Sequence, residues 1–178
     1  YLLNHDFILL PVSVFKRRYE DSFDNESFFL RPDSGSKSFS GSTLTPDTYK
    51  SELGMLDSWG VIDDLVCISK VKPIEKEFRF WVVGDSISTC SFYKKNCSYD
   101  IKHEDPPSEI TYLANKIAGL NRDYFPDTCF TLDLCLSDNK PYVVELNSLS
   151  ASGVYLCDLN TLFEDLRINH LKELFGSF

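Results

Sequence analysis

The sequence predicts an α+β protein built mainly from antiparallel hairpins. Short runs rich in β-branched and aromatic residues are bounded by Gly, Pro, Asn and Asp, as strands are. Two pairs of these runs are joined by compact turn chemistry, Gly84-Asp85 in one and the "SDNK" segment from Ser137 in the other. Other stretches carry apolar residues at helical spacing, which separates helices from strands along the same chain.

The first clearly punctuated segment is "SFFLRPDSGSKSFSGSTLTPDTY". Phe28 to Arg31 reads as a strand, the Ser/Gly-rich stretch after it as a loop over about 32–42, and Thr45-Pro46 as a cap with proline at the first helical position. A helix is expected over roughly Pro46 to Leu56. "DDLVCISKV" supplies a strand of about Leu65 to Lys70, followed by the proline-broken link "KPIEK". In "EFRFWVVGDSISTCSFY" the turn at Gly84 divides a hairpin, and strand alternation puts Glu77, Arg79 and Trp81 on one face and Phe78, Phe80 and Val82 on the other. A charged pair thus sits inside an apolar hairpin. "DPPSEITYLANKIAGLN" starts a helix at Pro107 or Ser108, with Ile110, Leu113, Ile117 and Leu120 at helical spacing and a close near Asn121. Strands over Thr128 to Leu136 and Tyr142 to Asn147 follow, then an amphipathic helix capped by Asp158 or Asn160.

Composition narrows the function. With 178 residues and 43% hydrophobic content, the chain suits one core or two small lobes. A net charge of -9 argues against nucleic acid or an anionic membrane as partner, so an anionic ligand needs a local basic pocket. No run is long and apolar enough for a membrane span, and the opening residues lack the order of a signal peptide. The six cysteines form no Cys-x-x-Cys pair, and four lie in strand-like runs, which reads as reduced thiols in a cytoplasmic protein. Two glycosylation-type triplets, at Asn25 and Asn96, are short and unspecific.

The chemistry concentrates near the last two strands. Phe130, Leu132, Leu134 and Leu136 share one face of the first, and Thr131, Asp133 and Cys135 the other. In the second, alternation groups Val143, Glu145 and Asn147. Asp133 faces Glu145 if the connecting loop holds an odd number of residues, such as Asp138-Asn139-Lys140. Two opposed carboxylates repel and are costly to bury, whereas a Mg²⁺ ion would bind both together with the Asn147 amide oxygen. Arg31, Lys37 in the Gly/Ser loop and Arg79 supply cations for phosphate.

Taken together, "FFLRPDSGSKSFSG", "EFRFWVVGDSISTCSFY" and "FTLDLCLSDNKPYVVELNSLSASGVY" resemble the ATP-grasp superfamily, nearest its small carboxylate-amine ligases related to glutathione synthetase and the ribosomal-protein glutamate ligase. The resemblance implies two lobes, about 1–70 and 71–178, each with a mainly antiparallel sheet and helices, and nucleotide in the cleft between them. It further implies Asp133, Glu145 and Asn147 as Mg²⁺ ligands; Arg31, Lys37, Ser38, Lys70, Glu77 and Arg79 as ATP contacts; and Lys37 and Arg79 as catalytic cations. The expected reaction joins a small-molecule or peptide carboxylate to an amine through an acyl phosphate. Arg31 stands where the family usually has a lysine, and the family's additional N-terminal domain is expected to be short or absent. The sequence sets no oligomeric state. It also leaves open a regulatory nucleotide-binding module, a phosphotransferase on the same fold, and a structural protein whose acidic strand ends face water.

Overall fold

A computed structural model describes residues 2–22, 25–33, 38–120 and 127–175. The chain divides into two compact units, one of residues 4–72 and one of residues 1–3 together with 73–178.

The smaller unit contains β1 (Ile8–Pro11), α1 (Val12–Arg18), β2 (Phe28–Pro32), β3 (Ser42–Leu44), α2 (Tyr49–Ser58) and β4 (Leu65–Lys70). Its sheet is antiparallel, in the order β1-β4-β2-β3. Alternation along β2 buries Phe28 and Leu30, which pack with Val12 and Phe15 of α1 and Leu53 and Leu56 of α2. Pairing sets Arg31 opposite Cys67 and Phe29 opposite Ser69, so these four share the other face of the sheet. Gly41 passes directly over Phe29. A Cβ there would stand 2.9 Å from the ring, so no larger residue fits without displacing it.

Two features of this unit depart from the expected pattern. The segment from Ile8 to Arg18 forms a strand and a helix around Pro11, where the sequence offers no hairpin turn or side-chain cap. The helix expected from Pro46 begins at Tyr49 instead, because residues 46–48 form a turn held by Thr45 and Thr48. Thr48 and Tyr49 both donate their N–H to the Thr45 carbonyl, and the Thr45 N–H donates to Thr48 Oγ1 at 3.1 Å. The Thr48 hydroxyl thus satisfies a donor ahead of the helix, as in a capping box.

The larger unit contains β5 (Lys76–Val83), β6 (Ser86–Lys95), β7 (Ser98–Tyr99), α3 (Ser108–Ala118), β8 (Cys129–Ser137), β9 (Lys140–Ser148) and α4 (Leu159–Phe175). Its sheet runs β7-β6-β5-β8-β9, antiparallel throughout. Leu2 bridges to Val143 on the open edge of β9. Phe78, Phe80, Leu132 and Leu134 face Ile110, Leu113 and Ile117 of α3 and make the principal core. On the opposite face Trp81 and Val83 pack with Leu162 of α4, while the rest of that face is polar. Asp158 caps α4: its Oδ1 accepts the N–H of Asn160 at 3.0 Å and of Thr161 at 3.2 Å. The helix end expected near Asn121 lies outside the described residues; α3 ends at Ala118, with Gly119 as its C-cap.

The β8–β9 connection corrects the expected loop. Asp138 and Asn139 form a two-residue turn with φ of 50° and 57°, and Ser137 pairs with Lys140. This is the conformation of a type I′ hairpin. An even turn alone would set Asp133 opposite Val144, but a β-bulge changes the register: Leu134 pairs with Val143 and Asp133 with Glu145. The extra residue, Val144, also separates the side chains expected on one face. Val143 joins the core, whereas Glu145 and Asn147 lie opposite Asp133 and Thr131 on the polar face.

Candidate functional site

The polar face of the larger sheet is built around one buried ion pair. β5 pairs with β8 so that Arg79 stands opposite Asp133. Arg79 Nε donates to Asp133 Oδ1 at 2.8 Å and Nη2 to Oδ2 at 2.7 Å, a bidentate contact with arginine 7% and aspartate 1% exposed. Glu77, on the same face, does not pair with Arg79 as a neighbouring charge. It accepts the Tyr93 hydroxyl at 2.7 Å and meets Lys94 Nζ at 3.4 Å. The two charges expected inside the hairpin both lie on β5, and each finds its partner on a different neighbouring strand.

Tyr93 and Lys94 both reach Glu77 because β6 carries a bulge of its own. Lys94 pairs with Glu77 and Phe92 with Phe78, which leaves Tyr93 as the extra residue. The loop after β9 closes over the same face. Ser91 Oγ accepts the Leu156 N–H at 3.2 Å, Thr89 Oγ1 accepts that of Asp158 at 3.1 Å, and the hydroxyls of Thr131 and Ser152 are 2.7 Å apart. Arg79 Nη1 donates to the Gly153 carbonyl at 3.3 Å. Here the small residues of "SLSASGVY" serve to hold the loop on the sheet, and Gly153 contributes a carbonyl acceptor toward Arg79.

Electrostatics follow from this crowding. Burial raises the Asp133 carboxyl above the usual range; Arg79 opposes the shift, and the charges of Glu145 and Glu77 add to it. Burial would lower the Arg79 guanidinium, but the hydrogen bonds and charge of Asp133 outweigh it and raise it. The Tyr93 phenol is raised by burial and then by Asp133 and Glu77. Burial pushes Cys135 up to about 12, which makes it an inert thiol; all six cysteines are unpaired.

The donor chemistry fits a hard cation. Among the described residues no group of three or more His, Cys, Asp and Glu side chains is arranged to hold a metal, and Asp133, Glu145 and Asn147 offer two carboxylates and an amide instead. Among the described residues, Glu77 and Glu145 add negative charge beside Asp133, and Arg79 and Lys94 add positive charge. Asp133 Oδ2 also accepts the Tyr93 hydroxyl at 3.3 Å, its Oδ1 retains a lone pair beyond the one given to Arg79, and all three residues present oxygen, the donor that Mg²⁺ prefers.

The remaining sequence candidates belong to the smaller unit. Arg31 is exposed on the face shared with Phe29, Cys67 and Ser69. Strand alternation places Lys70, also exposed, on the opposite, Phe28 side. Ser38 donates to Asp64 Oδ2 at 2.9 Å and lines a cavity of about 430 Å³ with Leu30, Gly41, Glu52 and Trp59. Lys37 lies outside the described residues. Tyr93, Lys94 and Tyr155 are the site residues that sequence reasoning missed. Tyr93 alternates with the core residue Phe92, whereas the β6 bulge brings Lys94 and the loop path Tyr155 to this face, and strand alternation carries no signal for those two.

Residues 26–166 match the model of family 3 in a RimK-related clade of ATP-grasp domains, and the chain belongs to that family, within a superfamily typically made up of ATP-dependent ligases. No curated protein matches the sequence. Among solved structures the chain is similar to a RimK domain ATP-grasp protein from Sphaerobacter thermophilus DSM 20745, at a TM-score of 0.62 and 12% identity over 95% of this chain and 60% of that one. It is similar to D-alanine–D-alanine ligase from Bacillus anthracis, at 0.59 and 17% over 94% and 63%. A third match is the ATP-grasp ligase PsnB complexed with a phosphomimetic variant of its minimal precursor, Mg and ADP, at 0.58 and 12% over 92% and 52%. The chain therefore spans less than two thirds of the length of these proteins. At these identities they establish the fold alone: two antiparallel sheets with helices, matching ATP-grasp structures. Among the described residues no helix is long and apolar enough to cross a membrane.

Proposed function

We propose that the chain provides the nucleotide-binding part of an ATP-dependent carboxylate-amine ligase. The observation that carries this reading is the gathering of Asp133, Glu145, Asn147 and Arg79 on one sheet face inside the segment matched to the family. In the proposed reaction a substrate carboxylate oxygen attacks the γ-phosphorus of ATP and ADP leaves. An amine then attacks the acyl carbon, phosphate leaves, and the nitrogen gives up a proton to phosphate or water. Asp133, Glu145 and Asn147 would hold Mg²⁺, which when bound supplies positive charge to the phosphates. Arg79 would offset charge developing on the transferred phosphoryl group, and its anchoring by Asp133 fixes it without cost at the moment of reaction. Arg31, Lys37, Ser38, Lys70 and Glu77 would add contacts to the nucleotide. The substrates fall in the class of small molecules or peptides; PsnB, a ligase of similar fold, is seen with a precursor.

A second reading rests on the same ion pair. Arg79 engages both oxygens of Asp133, which would suit a module that binds nucleotide and ligates nothing. Isothermal titration of ATP with and without Mg²⁺, followed by ADP release over amino acids and peptides, separates the two. Turnover with an amide product supports the ligase; tight Mg-ATP binding with no ADP release across the panel supports the module. Unchanged Mg-ATP affinity in both Asp133→Asn and Glu145→Gln would remove the metal assignment.

A further inference from the structure

Two tyrosine rings neighbour Arg79. The rings of Tyr93 and Tyr155 stack with centroids 4.7 Å apart and an interplanar angle of 7°. The Arg79 Cζ lies 5.5 Å from the centroid of the Tyr93 ring and 5.1 Å from that of Tyr155. The guanidinium thus lies beside the stacked pair, within the distance at which a cation is attracted to an aromatic ring. Tyr93 is 3% exposed and fixed by its hydrogen bond to Glu77, so it forms a firm base for the stack.

Tyr155 reaches this position at a conformational cost. Its φ is 45°, in the left-handed region that bulky residues rarely adopt, so its side-chain contacts must offset the strain. The next residue ties its N–H to Ser91, and Gly153, two residues earlier, accepts Arg79. Both contacts keep the loop in register with the stack.

Arginine has five N–H groups. Three are assigned among the described residues: Nε and one on Nη2 to Asp133, and one on Nη1 to Gly153. One on each terminal nitrogen is left, and a guanidinium N–H meets a phosphate or carboxylate oxygen in a charge-assisted bond.

We infer that Tyr155 is a positioning residue: through its stack on Tyr93 and its contact with the Arg79 guanidinium, it holds the two remaining N–H groups of Arg79 toward the anionic group undergoing transfer. The role of that anion rests on the ligase reading, whereas the orientation of Arg79 does not. A merely structural Tyr155 would fill space beside Trp81 and Leu162, and any apolar residue would then serve.

The test uses the full chain with Tyr155→Phe, Tyr155→Leu and Tyr155→Gly. Exchange of the Arg79 Nε–H with solvent is followed by NMR on ¹⁵N-arginine-labelled protein, with the signal assigned through Arg79→Lys. Tyr155→Phe retains the ring and is expected to keep the wild-type exchange rate. Tyr155→Leu is expected to accelerate exchange by about tenfold or more, since local opening then frees the guanidinium. Where amide formation is measurable, the leucine variant should lower kcat by about tenfold to a hundredfold, with KM for ATP moving by no more than about twofold. Should Tyr155→Leu fail to fold, Tyr155→Gly relieves the left-handed strain while removing the ring, and carries the same expectation. Wild-type Arg79 exchange in a folded leucine or glycine variant overturns the inference. Slow exchange lost in Tyr155→Leu and retained in Tyr155→Phe, in a protein without ligase turnover, would uphold the positioning role and count against the ligase reading alone.

Discussion

Asp133, almost wholly buried, gives both its oxygens to one guanidinium, so removing either partner leaves a desolvated charge. Truncating one side of such a pair usually destabilises by about 3–5 kcal/mol, although replacing both by apolar groups of similar size is often neutral. Arg79→Met is therefore expected to lower the urea midpoint by an amount in that range at unchanged m, and Arg79→Met with Asp133→Leu should recover much of the loss. Equal destabilisation in the single and double variants would show that the pair carries no such coupling. The core offers a comparison: Leu132 is fully buried against α3, and Leu132→Ala should cost about 2–5 kcal/mol, again read from the urea midpoint, from lost burial and the cavity left behind. Much of this residue-level pattern was legible in the sequence. Alternation alone separated Glu77, Arg79 and Asp133 from Phe78, Phe80 and Leu132. What alternation cannot supply is partners, which depend on strand order. Arg79 meets Asp133 only because β5 lies between β6 and β8.

Among the elements, the hairpins were read more accurately than their registers. A run of β-branched and aromatic residues with Gly84 at its centre specifies a hairpin by composition, whereas a bulge is one extra residue in a strand whose local sequence differs little from its neighbours. The two bulges that matter, at Tyr93 and Val144, lie on either side of the Arg79–Asp133 pair. The Asp133–Glu145 juxtaposition expected from an odd loop is thus reached by an even turn and a compensating bulge. The turn requires Asn139 at φ of 57°. Asn139→Val should cost roughly 1–2 kcal/mol, because a β-branched residue is poorly accommodated in the left-handed region, while Asn139→Gly should be tolerated. Chemical denaturation of both variants measures the difference, and equal stability would argue against the two-residue turn. The cap of α4 makes a pH-dependent prediction. The Thr161 hydroxyl and N–H and the Asn160 N–H hold the Asp158 carboxyl below its ordinary range, so the charged form is favoured in the folded state. Its contribution is complete above the unfolded value of about pH 4 and is lost as pH falls through the lowered folded value. Melting temperatures of the wild type and Asp158→Ala should accordingly differ near neutral pH and converge in acid. A difference independent of pH would exclude the charge of the cap as its source.

For the molecule as a whole, the net charge of -9 sets the terms on which nucleotide can bind. ATP is itself strongly anionic, so the protein's overall field opposes its approach and only local cations or a bound metal can reverse this. On the larger sheet's polar face the described residues Glu77, Asp133 and Glu145 set negative charge beside Arg79 and Lys94. Metal-free ATP should therefore bind weakly, and Mg²⁺ should strengthen binding by adding positive charge beside those carboxylates. A ligand at about one hundred times its Kd adds about 2.7 kcal/mol to the stability of the state that binds it. For a chain of this size that corresponds to roughly 5–10 °C in melting temperature, at about 2–4 °C per kcal/mol. The expected outcome is a rise of this order with saturating ATP and Mg²⁺, a much smaller one with ATP and EDTA, and loss of the Mg²⁺-dependent part in Glu145→Gln. Because the two units have separate cores, the melting curve should be followed by calorimetry, where a ligand acting on one unit moves one transition more than the other. Equal stabilisation with and without EDTA would remove the metal from the Asp133, Glu145 and Asn147 face, whereas no stabilisation under either condition would remove the nucleotide as well.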